Sequence, residues 1–219
     1  MPYYTVCFIF SAEYFHVVKV IGSHVGRRWR VTGRERPEKA ERIVRVTRDF
    51  TVAVFIIHQN RVLLFYHKKH QMWLPPGGHI EADELPDEAA VREVKEETSL
   101  EITLLGKSGL PIQEPRQLLT PEGIQVERIG TAAEEHEHID LIYYAVPATD
   151  WEDVTELSSE EVTKQLLFSA DEVEEGGWFE REELFRMDLA EDVKLWSIKA
   201  LQEVPARVAA LRQKGTSNK

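Results

Sequence analysis

The chain has 219 residues, of which 42% are hydrophobic and 30% charged, and its formal net charge at pH 7 is -11. This composition is typical of a globular protein, and no stretch approaches the roughly 18 consecutive apolar residues that a membrane-spanning helix requires. The single cysteine, Cys7, excludes an internal disulfide and a zinc site built from several cysteines. We therefore expect a cytoplasmic protein without a membrane partner.

Residues 1–48 differ in charge from the rest of the chain. They contain ten Lys/Arg and four Asp/Glu, a net charge of +6, which leaves -17 for the remaining residues. We predict a basic N-terminal extension that is either poorly ordered or carries a strand over residues 15–21 and a helix from Pro37 to Arg48. Binding of RNA by this segment is a less favoured alternative, because only Trp29 accompanies the central arginines.

A β-hairpin is predicted after residue 50. Residues 51–57 and 61–66 are rich in β-branched and aromatic side chains, and residues 58–60 suit the turn between them. Residues 72–74 then lead into Pro75-Pro76-Gly77-Gly78, which favours a turn where backbone approaches a ligand. A helix is predicted over residues 86–98, with Pro86 at its first position and acidic residues in its first turn.

The second half of the chain alternates strands and helices. Strands are predicted over residues 101–105 and 139–146, a short strand at residues 178–179, and a helix from Arg181. Residues 191–213 have apolar side chains at helical intervals, including Leu195, Val204 and Leu211. Pro205 is expected to break or kink this helix, and residues 214–219 are expected to form a disordered tail. This order indicates an α/β or α+β sandwich of sheet and helices.

The predicted helix over residues 86–98 carries three acidic residues on one face. Glu93, Glu96 and Glu97 stand at positions i, i+3 and i+4, within an arc of roughly 100°. Taken alone, such a cluster is more often a solvated helix face. Here it follows a glycine-rich segment, and oxygen ligands in this number suit a hard cation, Mg²⁺ or Mn²⁺.

The spacing of these residues resembles the Nudix box: Gly, five residues, Glu, seven residues, Arg-Glu, an aliphatic residue, any residue, Glu-Glu, any residue, Gly, and an aliphatic residue. The matching positions here are Gly78, Glu84, Arg92, Glu93, Val94, Glu96, Glu97 and Leu100. Ser99 replaces the second glycine of the box, and a serine in a left-handed conformation costs on the order of 1 kcal/mol. The resemblance extends over roughly residues 50–185.

The resemblance implies a Nudix-type α/β/α sandwich with a mixed sheet. It implies metal ligation of Mg²⁺ or Mn²⁺ by Glu93, Glu96 and Glu97, with the backbone carbonyl of Gly77 as a further ligand. Arg92 is similar to the arginine that orients a carboxylate of the cluster, and Glu84 to the acid that assists the metal or the attacking water. These residues would catalyse attack by water on phosphorus.

Residues outside the box are weaker candidates. Nudix enzymes often place a catalytic base downstream of the box, and Glu134, Glu135 and Glu137 are acids in such a segment, although acidic loops are usually only solvated. His138 and Asp140 share a strand face and either line the cleft or serve packing. Lys69 and Trp73 are candidate substrate contacts. The remaining candidates are Lys68 and His70 for phosphates, and Phe65 and Tyr143 for stacking on a base, although strand aromatics are more often core.

These observations predict three segments, 1–48, 49–187 and 188–219: the basic extension, a Nudix hydrolase domain, and a C-terminal helix with its tail. The predicted activity is hydrolysis of a pyrophosphate bond in a nucleoside diphosphate linked to another group. A catalytically silent nucleotide sensor is the alternative, and the complete set of three glutamates argues against it. The C-terminal helix is a candidate surface for a homodimer.

Overall fold

A computed structural model describes residues 4–11, 14–21, 46–129, 136–148 and 166–216. The chain forms two compact units, Met1–Ile43 and Val44–Lys219. In the first unit, β1 (Tyr4–Ser11) and β2 (Tyr14–Ile21) pair in antiparallel fashion. Strand β2 confirms the strand predicted over residues 15–21. The predicted helix from Pro37 lies largely outside the described residues, but its predicted end at Arg48 is wrong, because Thr47 and Arg48 belong to a strand.

The second unit contains ten strands and three helices in the part of the chain that the structure describes. The strands are β3 (Thr47–His58), β4 (Arg61–His67), β5 (Met72–Leu74), β6 (Gly77–His79), β7 (Ile102–Leu105), β8 (Lys107–Ser108), β9 (Leu119–Thr120), β10 (Gly123–Ile129), β11 (His136–Pro147) and β12 (Val173–Phe179). The helices are α1 (Pro86–Thr98), α2 (Arg181–Leu184) and α3 (Glu191–Thr216).

The main sheet is mixed, as predicted. Its strand order is β10-β11-β3-β4-β12, with β5 beside β4, β6 beside β3 and β7 beside β11. Strands β3 and β11 are parallel, and the other neighbouring pairs are antiparallel. The predicted hairpin is confirmed, with its turn at Gln59 and Asn60, whose φ angles are 47° and 61°. Both angles are positive, as a two-residue turn that follows the twist of its strands requires.

The core lies on both faces of this sheet. Because side chains alternate along a strand, Val52, Val54 and Ile56 of β3 pack on the side of α1, whereas Phe55 and Ile57 pack on the side of α3. Helices thus cover both faces, and the α/β/α arrangement is confirmed.

The glycine pair before α1 lies in strand β6 rather than in the predicted turn. Gly77 pairs with Ala53 and Gly78 with Val52 of β3. A Cβ atom on Gly77 would collide with the carbonyl oxygen of Val52. Glycine is therefore needed here because the backbones of two strands approach closely.

Helix α3 differs from its prediction in three ways. It continues through Pro205 and ends at Thr216, so the predicted break is wrong and the helix covers the first residues of the predicted tail. Its buried face includes Val193 and Val204, whereas Leu195 is 58% exposed and Leu211 is 44% exposed. None of the described helices is both long enough and apolar enough to cross a membrane. The division into three segments stays a prediction.

Candidate active site

Helix α1 carries the predicted centre, and its sequence accounts for both of its ends. Pro86 occupies the first turn, and the carboxylate of Glu88 accepts a hydrogen bond from the backbone N–H of Leu85 at 3.3 Å. The helix ends at Ser99, whose φ of 60° and ψ of 7° are left-handed. Serine therefore keeps the backbone conformation that glycine would adopt, and its hydroxyl donates to the carbonyl of Leu167 at 3.2 Å.

The three glutamates of α1 differ in their exposure to solvent. Glu97 is 3% exposed, the side chain of Glu93 is 15% exposed, and that of Glu96 is 60% exposed. Burial raises the pKa of Glu97 to about 8, even though its carboxylate accepts a hydrogen bond from the backbone N–H of Gly77 at 2.9 Å. Burial also raises the pKa of Glu93. Without a bound cation, the protein therefore disfavours the anionic forms of Glu93 and Glu97.

Strand β6 lies directly against the two buried glutamates. A Cβ atom on Gly78 would lie 2.6 Å from the carboxyl carbon of Glu93, so a larger residue there would displace that carboxylate. Gly77 contacts Glu97 through its N–H. Pairing of β6 with β3 thus places the backbone of Gly77 and Gly78 beside the acidic face of the helix, as the glycine-rich segment predicts.

Arg92 connects four groups around this centre. Its Nε and Nη2 donate to the two carboxylate oxygens of Glu84, each at 2.8 Å. Its Nη1 donates to Glu93 at 2.8 Å and to Glu96 at 3.1 Å, and Nη2 also donates to the carbonyl of His79 at 3.0 Å. The hydrogen bonds to Glu84 contribute most to raising the pKa of the guanidinium, and the same contacts lower the pKa of Glu84. Arg92 therefore fixes the carboxylates in position.

The structure adds Glu172, an acid that the sequence reasoning missed. This exposed residue immediately precedes β12, and its negative charge raises the pKa of both Glu93 and Glu97. The segment just before it is hydrogen-bonded to α1, because the N–H of Ser169 donates to the backbone carbonyl of Glu97 at 2.9 Å, so Glu172 lies near the centre. Glu172 could have been found only from the pairing of β12 with β4, which places the start of β12 near the glutamates. Pairing of two strands so far apart in the chain is not visible in the sequence.

Of the three downstream acids considered as bases, Glu137 is the one that the structure describes. Glu137 accepts a hydrogen bond from Arg48 at 2.7 Å and also lies 3.6 Å from Arg128. Its charge is thus balanced by two arginines. Glu134 and Glu135 lie outside the described residues.

The basic residues predicted to contact substrate lie between β4 and β5. Lys69 is exposed. Lys68 donates through Nζ to the carbonyl of Ala170, so it holds the segment before Glu172. The ring of His70 contacts that of His67, with centroids 4.5 Å apart.

Two of the aromatic candidates belong to the core. Phe65 and Tyr143 are each 1% exposed, and burial raises the pKa of Tyr143 to about 12. Trp73 is half-buried between Tyr66 and Phe179, with ring centroids 5.8 and 5.2 Å away. Among these aromatic candidates, only Trp73 retains partial access to solvent.

His138 and Asp140 have different surroundings on β11. Asp140 is buried and accepts a hydrogen bond from the hydroxyl of Thr51 at 2.5 Å. Its role is therefore hydrogen bonding within the packed sheet. His138 lies beside His79 and His136, with ring centroids 4.9 and 5.0 Å away. Burial, followed by the two neighbouring imidazoles, lowers the pKa of His138.

The Nudix box encodes this arrangement: a helix with three glutamates that differ in burial, an arginine that joins two of them to a fourth carboxylate, and a glycine-containing strand packed against the helix. The NUDIX domain profile matches residues 47–203. A hydrolase of the NUDIX family from Clostridium perfringens is 30% identical, with a TM-score of 0.55, over 73% of this chain and 99% of that one. The chain therefore belongs to the Nudix family and is a Nudix hydrolase.

Two further solved structures are less similar to this chain. A MutT NUDIX hydrolase from Burkholderia pseudomallei is 20% identical, with a TM-score of 0.45, over 72% of this chain and 98% of that one. The E. coli dihydroneopterin triphosphate pyrophosphohydrolase is 16% identical, with a TM-score of 0.47, over 72% and 95% of the two chains. Among curated proteins, no relative matches. Family membership implies hydrolysis of a pyrophosphate bond in a nucleoside diphosphate derivative, and Nudix hydrolases generally use divalent metals.

Proposed function

We propose that this enzyme cleaves the pyrophosphate bond of a nucleoside diphosphate linked to another group and depends on Mg²⁺ or Mn²⁺. The observation that carries the proposal is the convergence of Glu93 and Glu97 with the backbone of Gly77 and Gly78, with Glu96 joined to Glu93 through Arg92. A catalytically silent sensor would not require this complete ligand set.

The donor set fits a hard divalent cation. All candidate ligands are oxygens, namely three carboxylates and the carbonyl of Gly77, and such ligands suit Mg²⁺ or Mn²⁺ rather than softer metals. The raised pKa values of Glu93 and Glu97 support the same assignment, because a bound cation offsets the repulsion and desolvation that disfavour their anionic forms. When bound, the metal neutralises charge that develops on the phosphates and lowers the pKa of the attacking water.

The reaction assigns separate tasks to the surrounding residues. The oxygen of a water molecule forms a bond to phosphorus, and the bond from that phosphorus to the bridging oxygen breaks. The departing phosphate group leaves with the bridging oxygen. We assign acceptance of the water proton to Glu172, because its exposed carboxylate lies near the centre. Arg92 and Glu84 act as positioning residues that hold Glu93 and Glu96.

The substrate itself is proposed only as a class. Candidates are a modified nucleoside triphosphate, a nucleotide sugar, ADP-ribose or a dinucleoside polyphosphate. A cleft of about 690 Å³ adjoins the site. Its lining includes Arg48, Phe50, His79, Ile80, Glu84 and Leu141. Lys69, Trp73, Glu137 and His138 stay candidate substrate contacts, although the two arginine partners of Glu137 weaken its case. The homodimer and the cytoplasmic location stay predictions, and RNA binding by residues 1–48 stays the less favoured alternative.

The proposal is tested by measuring phosphate or nucleotide release from a panel of these substrates with Mg²⁺ or Mn²⁺. We expect metal-dependent cleavage by the wild type and its loss in Glu97→Gln. Glu101→Gln is the matched control, because this exposed glutamate forms an ion pair with Lys95 and lies outside the candidate ligand set. Nucleotide binding without cleavage across the panel would instead identify a sensor.

The assignment of Glu172 has its own test. If Glu172 accepts the water proton, Glu172→Gln lowers kcat and removes the acidic limb of the pH–rate profile, with KM unchanged. A variant that retains both kcat and the acidic limb would show that another group accepts the proton.

A further inference from the structure

A group of three histidines lies on the face of the sheet opposite to α1, because His79 and His138 pair with Thr51 and Asp49, which lie on the same side of β3 as Phe55. His79 belongs to β6, and His136 and His138 belong to β11. One ring nitrogen from each histidine lies within 4.8 Å of those of the other two. The strands explain this meeting, because β3 separates β6 from β11 and pairs with both. Two chain segments distant in sequence thus present nitrogen ligands to one point.

Asp49 on β3 is a candidate oxygen ligand next to two of these histidines. It is the register partner of His138, and its Oδ2 lies 3.8 Å from Nε2 of His79 and 3.3 Å from Nε2 of His136. Ligand atoms about 2.0–2.1 Å from a tetrahedral zinc ion are separated from one another by roughly 3.3 Å. The distances from the Asp49 carboxylate to these two imidazoles are therefore already close to those between ligands of a shared ion.

The ring of His136 is hydrogen-bonded through the nitrogen that faces away from Asp49. Thr47 Oγ1 and His136 Nδ1 share a hydrogen bond of 2.8 Å, which leaves Nε2 directed toward Asp49. Metal-binding histidines characteristically have their second nitrogen bonded in this way, which fixes the orientation of the ring.

We propose that His79, His136, His138 and Asp49 form a second metal site, separate from the glutamate centre, that binds a d-block divalent cation such as Zn²⁺. Imidazole nitrogens with one carboxylate suit zinc and its neighbours, whereas the all-oxygen glutamate centre suits Mg²⁺ or Mn²⁺. An anion fits the group less well, because the carboxylate of Asp49 lies between two of the imidazoles and would repel it.

The two sites meet at strand β6 but use different atoms of it. The carbonyl of His79 accepts a hydrogen bond from Arg92, whereas its imidazole belongs to the histidine group. An ion bound there would link β3, β6 and β11. This inference does not rest on the proposed pyrophosphate hydrolysis, because it concerns binding of a different metal by different side chains.

The test measures Zn²⁺ binding to the full chain in excess Mg²⁺, which is added to compete with any binding of Zn²⁺ at the glutamates. Affinity is obtained by competition with a chromophoric chelator, and Co²⁺ serves as a second probe whose visible absorption reports tetrahedral coordination by nitrogen and oxygen. We expect one Zn²⁺ per chain, with at least tenfold weaker binding in His136→Gln, His138→Gln and Asp49→Asn. His79→Gln should have the same effect while keeping the carbonyl that Arg92 uses.

Two control variants separate this site from its surroundings. Glu97→Gln alters the glutamate centre and should leave Zn²⁺ affinity unchanged, and His70→Gln removes an exposed histidine outside the group and should do the same. Circular dichroism and Tm without metal identify any variant that fails to fold, and the isosteric Asp49→Asn keeps the test decisive in that event. Absence of tight Zn²⁺ binding, equal binding by the histidine variants, or binding of inorganic phosphate in place of Zn²⁺ would overturn the proposal.

Discussion

Replacement of Glu97 by glutamine should stabilise the metal-free protein at alkaline pH while it abolishes activity. Burial raises the pKa of this carboxyl to about 8. The folded protein therefore retains the Glu97 proton to a higher pH than the unfolded chain does. The associated stability is fully present below the unfolded pKa near 4.5 and is lost as the pH rises through the folded pKa of about 8.

The size of this effect follows from the shift. Each pKa unit corresponds to about 1.36 kcal/mol, so a rise from 4.5 to about 8 sets an upper limit of about 5 kcal/mol. Glutamine has the same shape, stays neutral, and keeps a carbonyl that can accept the N–H of Gly77. The stability difference between Glu97→Gln and the wild type should thus be small at pH 5 and grow to several kcal/mol by pH 9.

Urea unfolding across this pH range, with a chelator present throughout, measures the difference directly. Glu96→Gln is the matched control, because its side chain is 60% exposed and its removal should change stability little. If Glu97→Gln were no more stable than the wild type at pH 9, the claim that burial of this carboxylate destabilises the metal-free protein would be refuted.

Three further substitutions test the geometry around the centre. Gly78→Ala places a Cβ against the carboxylate of Glu93, so metal affinity and activity should fall at least tenfold while circular dichroism stays native. Arg92→Lys cannot keep the two-pronged contact with Glu84, and we expect a loss of about 1.5–3 kcal/mol in urea unfolding together with a lower kcat. Ser99→Gly relieves a left-handed serine but loses its hydroxyl contact, so calorimetry should show a gain of no more than about 1 kcal/mol.

The parts of the fold that follow local rules were predictable from the sequence. Helix α1 was recognised from Pro86 to Thr98 because its first turn, its apolar positions and its acidic face all agree. The hairpin of β3 and β4 was recognised for the same reason. Spacing along a single helix also brought Glu93, Glu96 and Glu97 together, since helical geometry alone determines that relation.

The parts that depend on contacts between distant segments were not predictable in this way. Gly77 and Gly78 were assigned to a turn, because nothing local shows that β6 pairs with β3. Glu172 was missed, since its position near the centre depends on pairing of β12 with β4. On α3, the apolar residue Leu195 is exposed because packing against the sheet selects a different face, which includes Val193.

Glu97 shows how the site and the core compete for the same helix face. Ala90, Val94 and Glu97 stand at positions i, i+4 and i+7, the stripe that α1 buries, so the pattern favours an apolar side chain where glutamate stands. That conflict costs stability in the metal-free protein and leaves a buried ligand for a cation. Mg²⁺ should therefore raise the Tm of the wild type more at pH 8 than at pH 5, where protons compete for Glu97, and should raise that of Glu97→Gln far less. An equal shift in both proteins would place the bound Mg²⁺ elsewhere.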